Sequence, residues 1–439
     1  MGRRKQREPE TATIDAVTHD GRGIASTDGK KVFVAGALAG EEVRFIRRKR
    51  RRNFDEAELL EILKASPDRV NARCEAYGRC GGCVLQHVSI EEQREIKFGT
   101  LRDNLQRNAK LEPREWLQPI IGPDWHYRRR ARLGVKDVAG KGRVLVGFRE
   151  RHAPYITDMR RCEVIAKPVD DLIEPLSRLI EHLSIRARLP QIEVAVGENG
   201  VALVFRVLDP PTDDDLSLLR KFGAEHDLRI WLQPGGLDSL QLAWPEQDPG
   251  SLTYALPEFD IEIAFEPIDF VQVNPEINRR MVSAAIEYLD PGPDDRVLDL
   301  YCGIGNFSLP LGRKAGEVVG MEGEATLVER AGANAQRNGL ENVSFRCADL
   351  SKTDGSQAWI KEQWDRVLLD PARSGAAEVV AHMRAIDPQR IVYVSCHPGT
   401  LARDAATLVH ELGYTLQAAG VIDMFPHTAH AESIAVFSK

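Results

Sequence analysis

From Arg296 onward the chain repeats one pattern: a short apolar run, a glycine-bearing or polar break, then a helix-forming stretch. The runs are VLDLYC, EVVGMEG, VSFRCADL, DRVLLDPAR and RIVYVSC, closed by TLQAAGVIDMF and ESIAVFS. Such short apolar runs, alternating with helices, fit strands buried on both faces of a mostly parallel sheet. Residues 266–439 are therefore expected to form a doubly wound, Rossmann-like α/β domain that ends in an antiparallel pair. Ligands of such sheets bind outside the carboxyl ends of the strands, so the residues at run ends carry the most information.

The first run leads into VLDLYCGIGNFSL, Val297 to Leu309. The strand is expected to end at Asp299, and Gly303-Ile304-Gly305 turns into a helix. Glycines let the backbone pass close to a ligand there, but the third glycine of a dinucleotide fingerprint is missing. Glu322 ends the second run, 23 residues after Asp299, a distance that suits ribose hydroxyls. Asp349 ends the third, where an acid can accept from an adenine amine. Between them a helix carries Asn334, Asn338 and Gly339. Gly turn and acids on successive strands favour S-adenosylmethionine over NAD. The plainer reading makes them helix caps and surface acids.

Cys396 ends the run RIVYVSC, and Pro398 stops the strand. By itself this stretch leaves a core thiol, a metal ligand and a nucleophile open, and the buried thiol is the commonest of these. Two further run ends change the weighting. LLDPARSG brings Asp370 and Arg373, and PHTAHAES brings His427, His430 and Glu432. A thiol, carboxylates and a methyl-donor pocket suit methylation at carbon 5 of uracil: a thiolate adds at carbon 6, and a base later removes the carbon 5 proton. In the plainer readings Asp370 is a turn residue before Pro371, the two histidines are satisfied loop residues, and Cys302 and Cys347 are core thiols beside the pocket.

The 439 residues suggest about three domains. Residues 11–65 alternate apolar and polar positions between turns, predicting five short strands in an OB-like barrel. The run RFIRRKRRR, Arg44 to Arg52, is expected between two of these strands, as a solvated face or a grip on phosphate. The net charge of −7 excludes a uniformly basic nucleic-acid binder. Residues 69–265 read as α+β, with a helix from about Glu91 to Asn108. Trp125, Tyr127 and Arg128–Arg132 read either as ordinary β-surface or as an RNA-stacking strip. The N-terminal MGRRKQREPE is expected to be a disordered tail. No apolar run approaches the ~18 residues of a membrane span and no signal peptide is seen, so a cytoplasmic protein with reduced thiols is expected. Cys74, Cys80 and Cys83 form C-x5-C-x2-C, and Cys162 follows. Four soft ligands favour zinc or an iron–sulfur cluster, and spacing does not separate them.

QVN (Gln272–Asn274), DLYCGIGNF, DPAR, YVSC and HTAHAES together resemble the RNA uridine-C5 methyltransferase family. Residues 1–68 resemble its TRAM domain, and the cysteine pattern resembles its [4Fe–4S] site. The resemblance implies Cys396 as nucleophile and Glu432 as the base. It implies Gln272, Tyr301, Asn306, Glu322, Asp349 and Asp370 around S-adenosylmethionine, with Asp370 also near the uracil. Arg373 would help orient the base, and Cys74, Cys80, Cys83 and Cys162 would hold the cluster. The family often has Phe at Tyr301 and Asn at Asp349. Barrel plus cluster points to the members that modify a uridine of 23S rRNA, since the tRNA-modifying members lack both features. A monomer is expected, with a flipped target base, no DNA partner and no membrane partner. The stretch near 93–125 is expected to pack on the domain of residues 266–439. Two other readings stay open: the same chemistry on another rRNA or tRNA uridine, and an RNA-binding assembly protein with an inactive methyltransferase fold.

Overall fold

The computed structural model describes residues 8–18 and 20–439. Most of the expected disordered tail, residues 1–7, lies outside the described residues, and Glu10 already opens a strand. Six strands rather than five make the N-terminal barrel, because Glu10–Thr13 and Ala16–Val17 add to its two edges. Alternate residues point inward, so Ile14, Ala25, Val32, Val34, Val43, Phe45 and Ala57 fill a small core of their own.

The basic run does not sit between strands. Arg44–Arg50 are part of the strand Glu42–Arg50, whose neighbour is the acidic strand Phe54–Lys64. Arg44 pairs with Glu61, Arg47 with Asp55 and Glu10, Arg48 with Glu58, and Lys49 with Glu56. Cross-strand pairing thus neutralises much of what looked like a free cationic loop.

The central segment forms a sheet of six strands, with Arg130–Val138, Gln191–Val196, Val201–Arg206 and Leu228–Gln233 in its middle. A hairpin, Leu252–Leu256 with Ile261–Phe265, follows. It touches both sides: Thr253 N–H donates to Asn199, while Asn334 and Asn338 of the later helix Ala325–Arg337 bind the backbone of Ala264 and Glu262. The two asparagines are therefore fasteners of the hairpin.

The C-terminal sheet has eight strands. In spatial order they are Val343–Cys347, Glu317–Glu322, Arg296–Leu300, Arg366–Leu369, Arg390–Ser395, Glu432–Ser438, Thr415–Ile422 and Glu115–Trp116. All run parallel except Glu432–Ser438. The order reverses between Arg296–Leu300 and Arg366–Leu369, which opens a crevice at their carboxyl ends. The last strand comes from residues 115–116, far back in the chain. Helix Ile90–Asp103 crosses over with them, and its Lys97 bonds Asp423.

Candidate active site

Register fixes the neighbourhood of Cys396. Ser395 pairs with Ser433 across antiparallel strands, so the next residue on each side sets Cys396 against Glu432. On the other flank Leu369 pairs with Tyr393, and Asp370 follows Leu369. Leu300 pairs with Leu369, so Tyr301 stands beside Asp370. One row of strand ends thus carries Tyr301, Asp370, Cys396 and Glu432, with adjacent strands about 4.8 Å apart. Ser395 and His397 bond one another at 3.2 Å, and His397 caps the helix Pro398–Ala406. The strand therefore stops and leaves the Cys396 thiol half-buried at the edge of a cleft of about 1050 Å³. The barrel supplies Asp15, Val17 and Asp20 to that cleft, and the helix Ile90–Asp103 supplies Glu92, Glu95 and Arg102.

The carboxyls at this row are unusual. Burial pushes Glu432 up to about 8, Asp370 adds to the rise, and Lys97 opposes it. Its Oε2 is buried without a hydrogen-bond partner. Asp370 is pushed up to about 7 by burial. Both can exchange a proton near neutral pH, as acid–base groups must. The Cys396 thiol is pushed up to about 11 by burial and by the fields of Glu432 and Asp370, with Arg373 pulling the other way.

The glycine turn shows a strained backbone. Tyr301 has φ of +68°, in the left-handed region that few non-glycine residues enter, and such strain clusters at functional sites. Gly303 and Gly305 follow at +55° and +96°. Glu322 ties the turn down: one carboxylate oxygen accepts from Gly303 N–H at 3.1 Å, the other from Gly323 N–H at 2.6 Å. Asn306 faces inward, its amide in a reciprocal pair with Asn278 and its oxygen also accepting from Tyr254 O–H, each at 2.9 Å. Gln272 is buried, and its carbonyl accepts from Arg129. Asp349 is exposed at the rim. It caps the next turn through Ser351 and pairs with Lys352 at 2.7 Å, which holds its carboxyl down near 2. Tyr254 and Asn278 carry no sequence signal strong enough to place them here. Asp299 is buried and accepts from Ser308, and burial lifts it to about 7.

Three expectations change. Cys302 is buried beside the turn, but Cys347 is exposed, because its strand lies at the sheet edge. The Arg128–Arg132 strip is half turned in, with Arg129 and Ala131 buried and Arg132 exposed. Tyr127 O–H donates to Pro426, Arg129 stacks over Tyr254, and Arg130 and Arg132 pair with Glu193. Trp125 stacks on His427 at 3.8 Å. His427 is not the fully satisfied loop residue expected: its carbonyl receives Val84 and Leu85 and its N–H goes to Gln93, but its ring Nε2 is buried without a partner. His430 Nδ1 accepts from Arg373 at 3.0 Å, which requires a neutral ring.

Cys74, Cys80, Cys83 and Cys162 line one cavity of about 440 Å³, to which Arg373 and His430 also contribute. All four are free thiols pushed upward by burial, Cys83 and Cys162 to about 12. Among the described residues no three such side chains converge as ligands of a single metal ion, so the expected cluster is not shown.

Residues 255–439 match the tRNA (Uracil-5-)-methyltransferase family, and residues 3–59 match the TRAM domain. The whole chain is 50% identical, over 444 residues, to the 23S rRNA (uracil(1939)-C(5))-methyltransferase RlmD of Methylococcus capsulatus, with both chains covered completely. The chain belongs to this family of RNA uracil-C5 methyltransferases. The RlmD of Alkalilimnicola ehrlichii is also 50% identical, with 100% of this chain and 99% of that one covered. Among solved structures, the Pyrococcus abyssi tRNA (uracil-54, C5)-methyltransferase in complex with S-adenosyl-L-homocysteine superposes with a TM-score of 0.74. It is 24% identical and covers 97% of this chain and 99% of its own, a likeness of fold. The family's fold is thus a TRAM barrel joined to an S-adenosylmethionine-dependent methyltransferase domain.

Proposed function

We propose that this chain transfers a methyl group from S-adenosylmethionine to carbon 5 of uridine 1939 in 23S rRNA, the reaction for which its relatives are named. The observation that carries the reading is the strand register that sets Cys396 beside Glu432 and Asp370. S-adenosylmethionine, as co-substrate, supplies an electrophilic methyl sulfonium. Tyr301, Asn306, Glu322, Asp349, Asp370 and Gln272 are the residues proposed to hold it. Of these, Glu322 shapes the glycine turn, Asn306 works through its locked pair with Asn278, and Asp349 must release Lys352 to reach an adenine.

The proposed steps follow from the chemistry. Cys396 gives up its proton to a neighbouring carboxylate, and its sulfur adds to carbon 6 of the flipped uracil. The displaced electron pair forms an enolate, and carbon 5 takes the methyl group as the sulfonium S–CH3 bond breaks and S-adenosylhomocysteine leaves. Glu432 then removes the carbon 5 proton, the double bond re-forms, and the thiolate leaves.

Residues 1–68 are proposed as the RNA-binding unit, 69–265 as the central unit and 266–439 as the transfer unit, with about 93–125 working as part of the last. The protein acts as a cytoplasmic monomer on rRNA, with no DNA or membrane partner; no described helix is long and apolar enough to cross a membrane. We further propose that Cys74, Cys80, Cys83 and Cys162 hold a [4Fe–4S] cluster. What supports this reading is that the four thiols, Cys80 and Cys162 buried and Cys74 and Cys83 half-buried, line one cavity, and soft thiolates suit such a cluster. Anaerobic iron and sulfide analysis checks this, and zinc without sulfide overturns it.

The transfer reading is tested with tritiated S-adenosylmethionine and an rRNA fragment holding the target uridine. Cys396→Ala is expected to abolish labelling while both ligands still bind, and retained turnover sinks the mechanism. An RNA with 5-fluorouracil at the target is expected to trap a covalent adduct at Cys396.

A further inference from the structure

Lys97 lies on the helix Ile90–Asp103 with its side chain 1% exposed. Its ammonium sits 2.6 Å from Asp423 Oδ1 and donates to the carbonyl of Phe425 at 2.9 Å. Arg94, one turn earlier, reaches Asp423 Oδ2 at 3.2 Å and Asp124 at 3.0 Å. An ammonium has three donors, and two are committed here. Behind this group, Glu432 Oε2 is buried without a partner. Asp423 follows the strand Thr415–Ile422, and Ile422 pairs with Glu432.

A buried ion pair is a poor glue, because apolar residues of similar size stabilise as well or better. Its field, however, reaches the carboxyl next door. The groups that act on Glu432 are Asp370 and Cys396 from neighbouring strand ends and Lys97 from the helix; Asp423 and Arg94 bear on Lys97, Arg373 on Cys396 and His430, and Lys97 also on His427 and His430. Asp370 makes ionisation of Glu432 harder, and Lys97 makes it easier. Without a counter-charge, a carboxyl in this position stays protonated and cannot accept the carbon 5 proton.

We propose that Lys97 is a positioning residue for proton abstraction: its ammonium, anchored by Asp423, is the counter-charge that lets the buried Glu432 ionise. The inference rests on the reading of Glu432 as base. It predicts that Lys97→Met slows the last steps rather than the first. The acid limb of the single-turnover pH profile moves up by about one unit, which is about ten-fold in rate on that limb. The methylated RNA adduct on Cys396 then accumulates on a denaturing gel. Lys97→Arg, which keeps the charge, restores the limb. Asp423→Asn moves it down, since the ammonium is no longer shared with a carboxylate.

Full-length variants and an rRNA fragment suffice for the test. A Lys97→Met protein that binds both ligands, keeps its acid limb and shows no adduct overturns the inference. Where Lys97→Met does not fold, Lys97→Gln, which keeps a donor toward Asp423 without the charge, decides: a raised limb supports it, and an unmoved or lowered limb overturns it. Glu432→Gln separates the two levels. Normal turnover in that variant overturns the base reading and this inference together. An adduct trapped by Glu432→Gln beside a normal Lys97→Met overturns the inference alone.

Discussion

Asp299, Asp370 and Glu432 each hold a proton in the folded protein at a pH where an unfolded chain has released it. Their folded values of about 7, about 7 and about 8 lie above the unfolded ones, so the folded state binds more protons between about pH 4 and pH 8. Stability from these groups is present at low pH and is lost as pH rises through that window. Urea unfolding at pH 5 and pH 8 is expected to show lower stability at the higher pH. The loss is on the order of 1 kcal/mol per unit for each group, and Asp299→Asn should remove one share of the slope. Thiol chemistry gives a second residue-scale outcome. Cys347 is exposed and Cys302 buried, so a native thiol titration should show a fast phase that Cys347→Ser removes.

Among elements, the barrel and the glycine turn make opposite demands. In the barrel, Arg47 is buried between Asp55 and Glu10; burial raises the Asp55 carboxyl, but hydrogen bonds from Lys30, Arg47 and the Arg51 backbone outweigh it and hold it near 2. Arg47→Ala leaves the buried Asp55 with Lys30 and the Arg51 N–H but without its guanidinium and should cost about 2 kcal/mol, read as a lower melting transition of the barrel. In the turn, Gly305 at φ of +96° has Leu309 only 3.0 Å from where a Cβ would lie. Gly305→Ala should strain the backbone by about 1–3 kcal/mol and weaken S-adenosylmethionine binding by at least about ten-fold, measured by calorimetry.

Taken whole, the molecule is less modular than its chain order. The barrel has its own core, but the transfer domain borrows its edge strand from residues 115–116 and a buried lysine from helix Ile90–Asp103. The loop of Cys83 is stitched to the catalytic loop through the carbonyl of His427. Residues 266–439 alone are therefore expected not to show a cooperative melt. A chain starting at residue 67 should fold and bind S-adenosylmethionine, with RNA affinity reduced and its salt dependence shallower.

Much of this was legible in the sequence, for a physical reason. Short apolar runs and glycine breaks encode strands and turns locally, so the doubly wound domain and the strand-end residues Glu322, Asp370, Cys396 and Glu432 could be named from their runs. Pairing between distant segments leaves no local mark. Register alone set Cys396 against Glu432, brought Lys97 and Asp423 together across 326 positions, and neutralised the Arg44–Arg52 run against an acidic strand. Tyr254 and Asn278 locking Asn306, and Arg129 turning inward, are likewise decisions of packing, because a polar residue's role depends on which partner burial brings within reach. The sequence determined which groups stand at the strand ends, and the tertiary structure determined which of them can share a proton.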